Sequence, residues 1–206
     1  TPRFEYYALM AADFYSFLPK LAQQPCADLI AQQNVQIKVV RQRKTKHGDF
    51  RVFPGKPVTI TLNAMENPYR FLLTFLHEWA HFRVFFIHRR RQKPHGSVWQ
   101  ETFREITTPF LTTDFFPETL LNPLKKHMQK PKATFAADDA LMLALRQFDP
   151  PTDKKCIFEL EQDALFQTED GRIFQKGVKR RTRFLCRCTQ TKRQYLFPPF
   201  VEVNEV

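Results

Sequence analysis

The chain has 206 residues, 43% of them hydrophobic and 14% aromatic, with 22 phenylalanines and a formal net charge of +11. That length suits one large domain, or one of about 150 residues with a small appendage, around a phenylalanine-rich core. No apolar run approaches the roughly 18 residues of a membrane span, residues 1–15 lack a cationic-then-apolar signal pattern, and four cysteines are too few for a disulfide framework. The expectation is a cytoplasmic protein without a membrane partner, whose excess of cations suits an anionic one such as nucleic acid.

Residues 6–23 read as an amphipathic helical region interrupted by Pro19, with a second piece over 26–33. Val35 to Val40 alternates as a half-buried strand. Phe50 to Phe53 is expected to pair with it across a loop in which His47-Gly48-Asp49 makes the turn, and a third strand is expected over Val58 to Leu62. Asn67 is a natural N-cap with proline following at the first helical position, and Phe71, Leu72, Phe75, Leu76, Trp79 and Phe82 recur at helical spacing. A helix over about 68–88 follows.

That helix carries His77-Glu78-Trp79-Ala80-His81. Two histidines four residues apart lie on one face, where both imidazoles can bind one divalent ion. Glu78 stands next to the first of them, where a metalloprotease needs its general base. The extended metzincin pattern would require Gly at 84 and His at 87, and this chain has Val84 and Ile87. A third ligand can come from His95, on the Pro94-His95-Gly96 loop 14 residues past His81, or from Glu101 or Glu105 in the next helix. Spacing leaves these alternatives open. The helix itself is expected from about Val98 to Thr108, with Ser97 and Gln100 as a capping box.

Residues 109–135 show no clear period and read as short pieces packed around the motif helix. A further helix is expected over 136–148, and Asp149-Pro150-Pro151 as a domain boundary, giving domains 1–150 and 151–206. Beyond it the period changes to that of short strands, over 156–160, 164–167, 172–174, 182–188 and 195–197, forming a small antiparallel sheet. From Arg172 to Arg193 there are nine Lys or Arg and no acid. Lys179, Arg180, Arg181 and Arg183 are the candidate nucleic-acid contacts, with Phe174, Phe184 and Tyr195 as stacking platforms. Tyr69, His88 and Arg89 to Arg91 are candidate oxyanion stabilisers, and Asp138 or Asp139 a candidate partner for a ligand histidine.

The run His77-Glu-Trp-Ala-His81 followed by Lys93-Pro-His-Gly-Ser-Val-Trp99, preceded by Thr45 to Arg51 and Asn67 to Thr74, resembles the SprT-like metallopeptidase family over roughly residues 35–150. The resemblance implies an α+β, zincin-like domain with the motif on a central helix beside a small sheet. It also implies one catalytic Zn2+ on His77, His81 and His95, Glu78 as base, and a protein substrate bound or crosslinked to DNA, consistent with a nucleoid-associated enzyme. The tail departs from the family's paired Cys-x-x-Cys ribbon. Cys186 and Cys188 are two apart, and such strand residues have Cα atoms about 6.6 Å apart, so no second zinc is expected. The leading reading is a zinc metalloendopeptidase, and the rival a nucleic-acid-binding module with a structural zinc.

Overall fold

The computed structural model describes residues 14–31, 33–43, 46–88 and 92–206, and the chain is of the α+β class. It divides into two compact units, one of residues 1–133 with 143–149, the other of residues 134–142 with 150–206.

In the first unit, 3-10 turns at Phe14–Phe17 and Lys20–Ala22 lead into helix α1 (Gln23–Ile30). The interruption expected at Pro19 falls between the two 3-10 turns, because its ring cannot continue a helix, and the second piece expected over 26–33 begins earlier, at Gln23; the part of the first piece over 6–13 falls outside the described residues. Strands β1 (Val35–Val40), β2 (Gly48–Arg51) and β3 (Val58–Asn63) form a sheet in the order β1-β3-β2. The expected β1–β2 hairpin is therefore corrected. β1 runs parallel to β3, with Val35 opposite Val58, and β2 is antiparallel to β3, with Gly48 opposite Leu62. β3, at the centre, is the most deeply buried of the three, with Ile60 and Leu62 fully buried. Gly48 opens a strand rather than a turn. The reversal falls instead at Phe53 to Lys56, where Gly55 takes φ +71° and Lys56 N–H donates to Phe53 C=O.

Helix α2 (Pro68–Ile87) begins where the cap signal predicts, with the Asn67 side chain accepting from Tyr69 and Arg70 N–H. Phe71, Leu72, Leu73, Phe75, Leu76, Trp79 and Ala80 are essentially without exposure, so α2 is the core of the unit. The other Asn67 amide bonds reach late in the chain, donating to Leu145 C=O at 2.8 Å and the Asp149 carboxylate at 2.6 Å. Arg70 grips the same carboxylate through two nitrogens at 2.7 and 2.8 Å. Helix α3 (Ser97–Thr107) is capped by Gly96 without a side-chain bond, so Ser97 is its first residue and not its cap. Residues 118–129, read as irregular from sequence, form helix α4 (Glu118–Gln129), which keeps Pro123 inside its span and buries Leu120, Leu121, Leu124, His127 and Met128.

Helix α5 (Asp139–Arg146) straddles the division between the units. The second unit adds β4 (Lys155–Cys156), β5 (Leu165–Gln167), β6 (Ile173–Gln175), β7 (Lys179–Arg180), β8 (Arg183–Cys188), β9 (Gln194–Phe197) and β10 (Glu202–Glu205). All their pairings are antiparallel. The expected strand over 156–160 is mostly a 3-10 turn, Ile157–Glu159, in which the Glu159 carboxylate accepts from Cys156 N–H at 2.7 Å. Ile157, Phe166, Phe174, Cys186, Cys188 and Val203 make the core of this sheet.

Candidate metal centre

His77 and His81 project from successive turns of α2, as their spacing requires. His95 reaches them from the turn before α3, in which Gly96 N–H donates to Lys93 C=O at 3.0 Å. His95 itself takes φ +55°, a left-handed conformation in which histidine is among the better tolerated side chains. Gln100, expected as half of a capping box, instead donates its side-chain amide to His95 C=O at 3.3 Å. The loop that carries the third imidazole is thereby fastened to α3.

The three Nε2 atoms converge, with His77 to His95 at 3.1 Å, His77 to His81 at 3.3 Å and His81 to His95 at 3.0 Å. A neutral imidazole nitrogen is either a donor or an acceptor. With two states and three nitrogens, at least two must be alike in any tautomer assignment. The three contacts therefore cannot all be hydrogen bonds. A cation accepting three lone pairs satisfies every nitrogen together. Tetrahedral zinc with bonds of about 2.0–2.1 Å separates its ligand nitrogens by roughly 3.3–3.4 Å, close to the spacing here. Among the described residues this is the one group of His, Cys, Asp and Glu side chains placed to hold a metal ion. Glu101 and Glu105 are exposed on α3 and belong to no such group.

The surroundings keep the imidazoles neutral, as ligation requires. Burial lowers all three: His77 well below its ordinary value, His81 to about 4 with help from His95, and His95 more mildly. Trp99, one helical turn beyond His95, backs the cluster, stacked on His81 at 5.3 Å between centroids and lying 4.6 and 4.7 Å from His77 and His95. Phe103 meets His77 from the next turn of α3. Sequence reasoning gave Trp99 and Phe103 no role, although their offsets of four and eight from His95 carry the signal of a face turned to it.

Glu78, 8% exposed, lies on the neighbouring face of α2 against β2. Burial first, then the charge of Asp49, pushes its carboxyl up to about 7, against the Phe50 backbone N–H and the cations Arg43 and Lys46, which stabilise the ionised form. Asp49 is itself paired with Lys46 at 2.9 Å and with Arg51. Beside His81 opens a cleft of about 630 Å³ whose walls include Phe50, Val84, Phe85, Phe86, Pro94 and Trp99. His88 also lines it.

The other expected site residues stand elsewhere. Tyr69 packs against Phe116 and Phe148, and Arg89 to Arg91 lie outside the described residues. Asp138 Oδ1 accepts from Leu141 N–H, and Asp139 pairs with Lys179 at 3.0 Å, so helix capping and an ion pair account for carboxylates proposed to orient a ligand histidine. Arg180, Arg181 and Arg183 sit at the exposed tip of the β7–β8 hairpin, with Arg180 directly opposite Arg183 and Arg181 at φ +53°. Lys179 is on the same hairpin, already partnered by Asp139. Phe174 is fully buried and offers no stacking platform, because its position in β6 points into the sheet core; Phe184 and Tyr195 are partly buried against that core. No helix among the described residues is long and apolar enough to cross a membrane. Comparison with models of protein families, with curated proteins and with solved structures gives no match to this chain.

Proposed function

We propose that the protein is a zinc-dependent metalloendopeptidase with a zincin-like first unit, of the SprT-like kind that its motifs resemble. The observation that carries this reading is the convergence of His77, His81 and His95 beside a buried carboxylate, Glu78, whose proton affinity is raised toward neutrality. A zinc ion on the three Nε2 atoms supplies Lewis acidity toward water and a peptide carbonyl. Glu78 accepts a proton from the attacking water at its carboxylate and delivers it to the departing amine nitrogen, and a pKa near 7 suits both halves of that task. Burial opposes protonation of His77 and His81 and so leaves their nitrogens available to an ion. The apolar walls of the cleft beside His81 fit a large hydrophobic side chain of a polypeptide crossing the site.

The hairpin tip supports association with DNA. Two arginines directly opposite one another repel, and Arg181 adds a third cation in a strained turn. None of the three makes an ion pair among the described residues, and phosphate is the ligand that relieves such an arrangement. Protein held on DNA is then the substrate class.

Zinc content of the purified protein, measured with cleavage of an unfolded protein substrate with and without DNA, tests the reading. Glu78→Gln is expected to keep one equivalent of zinc and to lose about 100- to 10,000-fold in kcat. A wild-type protein loaded with zinc but inactive on every protein substrate would favour a DNA-binding module with a structural ion.

A further inference from the structure

We infer that Gly48 is a positioning residue for the carboxylate of Glu78: the missing side chain at the start of β2 is the space in which that carboxylate stands. The inference rests on the endopeptidase reading for its functional meaning and on packing alone for its geometry. A Cβ at residue 48 would lie 2.6 Å from Glu78 Cγ, 2.7 Å from Oε1 and 3.0 Å from Cδ. Carbon atoms pack at about 3.5–4.0 Å, so no side chain fits there with Glu78 in place.

Conformational freedom does not explain this glycine. The glycines with positive φ are Gly55 and Gly171, and Gly48 adopts ordinary strand geometry. What remains is close approach, the other use of a residue without Cβ. Nor can the strand easily retreat. Gly48 is paired with Leu62, which is fully buried, and the preceding residue is tied by Asn63 N–H donating to His47 C=O at 2.8 Å. The Asn63 side chain fixes the approach to β2 as well, donating to Arg43 C=O at 3.2 Å and Lys46 C=O at 2.8 Å. Two residues on, the Phe50 N–H bonds to the Glu78 carboxylate from the same strand. β2 thus acts on the carboxylate twice, through a space at 48 and a donor at 50.

The atoms in the way, Cγ, Cδ and Oε1, belong to a flexible side chain that can turn about its Cα–Cβ bond. A methyl group at 48 therefore displaces Glu78 by rotation of its side chain, at a cost near that of an unfavourable rotamer, and leaves the backbone standing. The consequence is a separation of stability from activity that a purely structural glycine would not show.

The experiment is Gly48→Ala, alone and combined with Glu78→Ala, which removes the clashing Cγ and every atom beyond it. Expected for Gly48→Ala are one retained equivalent of zinc, KM within about threefold of wild type and kcat lower by about 100-fold or more, approaching Glu78→Gln. In the Glu78→Ala background the same change is expected to cost less than about threefold of the residual kcat, the non-additivity of two groups in contact. Full kcat in Gly48→Ala, or an equal loss in both backgrounds, would overturn the inference. If Gly48→Ala does not fold, Gly48→Ala/Glu78→Ala must, because it removes the clashing atoms; an unfolded double variant also overturns it. Thermal stability of the metal-free single and double variants reads the packing without any catalysis. An inactive wild type with normal coupling between 48 and 78 would refute the endopeptidase reading and leave the packing intact.

Discussion

Asn67 fixes the start of the helix that carries His77 and His81, and Asn67→Ala measures how firmly. The residue is 2% exposed and uses both ends of its amide. Its oxygen accepts from Tyr69 and Arg70 N–H at 3.1 and 3.0 Å, a cap worth about 1 kcal/mol. Its nitrogen donates to Leu145 C=O and Asp149. Loss of the first costs about 1 kcal/mol, since Phe148 N–H still donates to the Leu145 carbonyl at 3.1 Å, and loss of the second costs about 1 kcal/mol because Arg70 still holds that carboxylate. With the cap, the sum is about 3 kcal/mol. Both tryptophans, Trp79 and Trp99, belong to the first unit, so their fluorescence reports its unfolding alone. With a urea dependence of about 2 kcal/mol per molar, the midpoint should fall by roughly 1.5 M. Asn67→Ser restores the cap without the donor and should recover about 1 kcal/mol. A loss under about 1 kcal/mol for Asn67→Ala, or a serine variant no better than alanine, would refute this account.

His95→Ala should weaken zinc binding by at least about 100-fold in a competition titration while leaving the far-ultraviolet circular dichroism unchanged, because the ligand lies on a turn and not in α2. In the metal-free protein, Glu78→Gln should stabilise the fold at pH 8 and not at pH 4. The Glu78 pKa is raised in the folded state, so its contribution is intact below the ordinary value of 4.5 and is lost as pH rises through about 7. Melting temperatures at the two pH values test the sign, and an equal shift at both would contradict it. Alanine at Arg180 or Arg183 should each lower the slope of log affinity against log salt for duplex DNA by about 0.9, whereas Lys179→Ala should change it less, since Asp139 already neutralises that lysine.

The elements legible in the sequence were those whose signal is local. Asn67-Pro68 announces its helix because the cap and the proline act within one turn, and His77, Glu78 and His81 fall on predictable faces of it. The pairing of β1 with β3 was not legible, since alternation tells which face of a strand is buried and nothing about its neighbour. Helix α4 was hidden by Pro123, ordinarily a helix breaker, which this helix contains. Gly48 misled in an instructive way. A glycine between histidine and aspartate has the composition of a turn, but its missing Cβ is used here for the approach of Glu78, a contact made across the fold. Gln100 likewise had the spacing of a capping partner and serves the His95 carbonyl instead.

The left-handed backbone at His95 places two demands on one residue. Most side chains with a metal-binding atom would meet only one of them, because outside glycine that conformation is tolerated chiefly by His, Asn and Asp. Cysteine would bring an affinity for soft ions and a strained turn; aspartate would bring an oxygen ligand and an acceptable turn. The repertoire of metals open to this site by single substitution is therefore filtered by backbone shape before coordination chemistry is consulted, and the harder, oxygen-preferring ions lie on the accessible side of that filter.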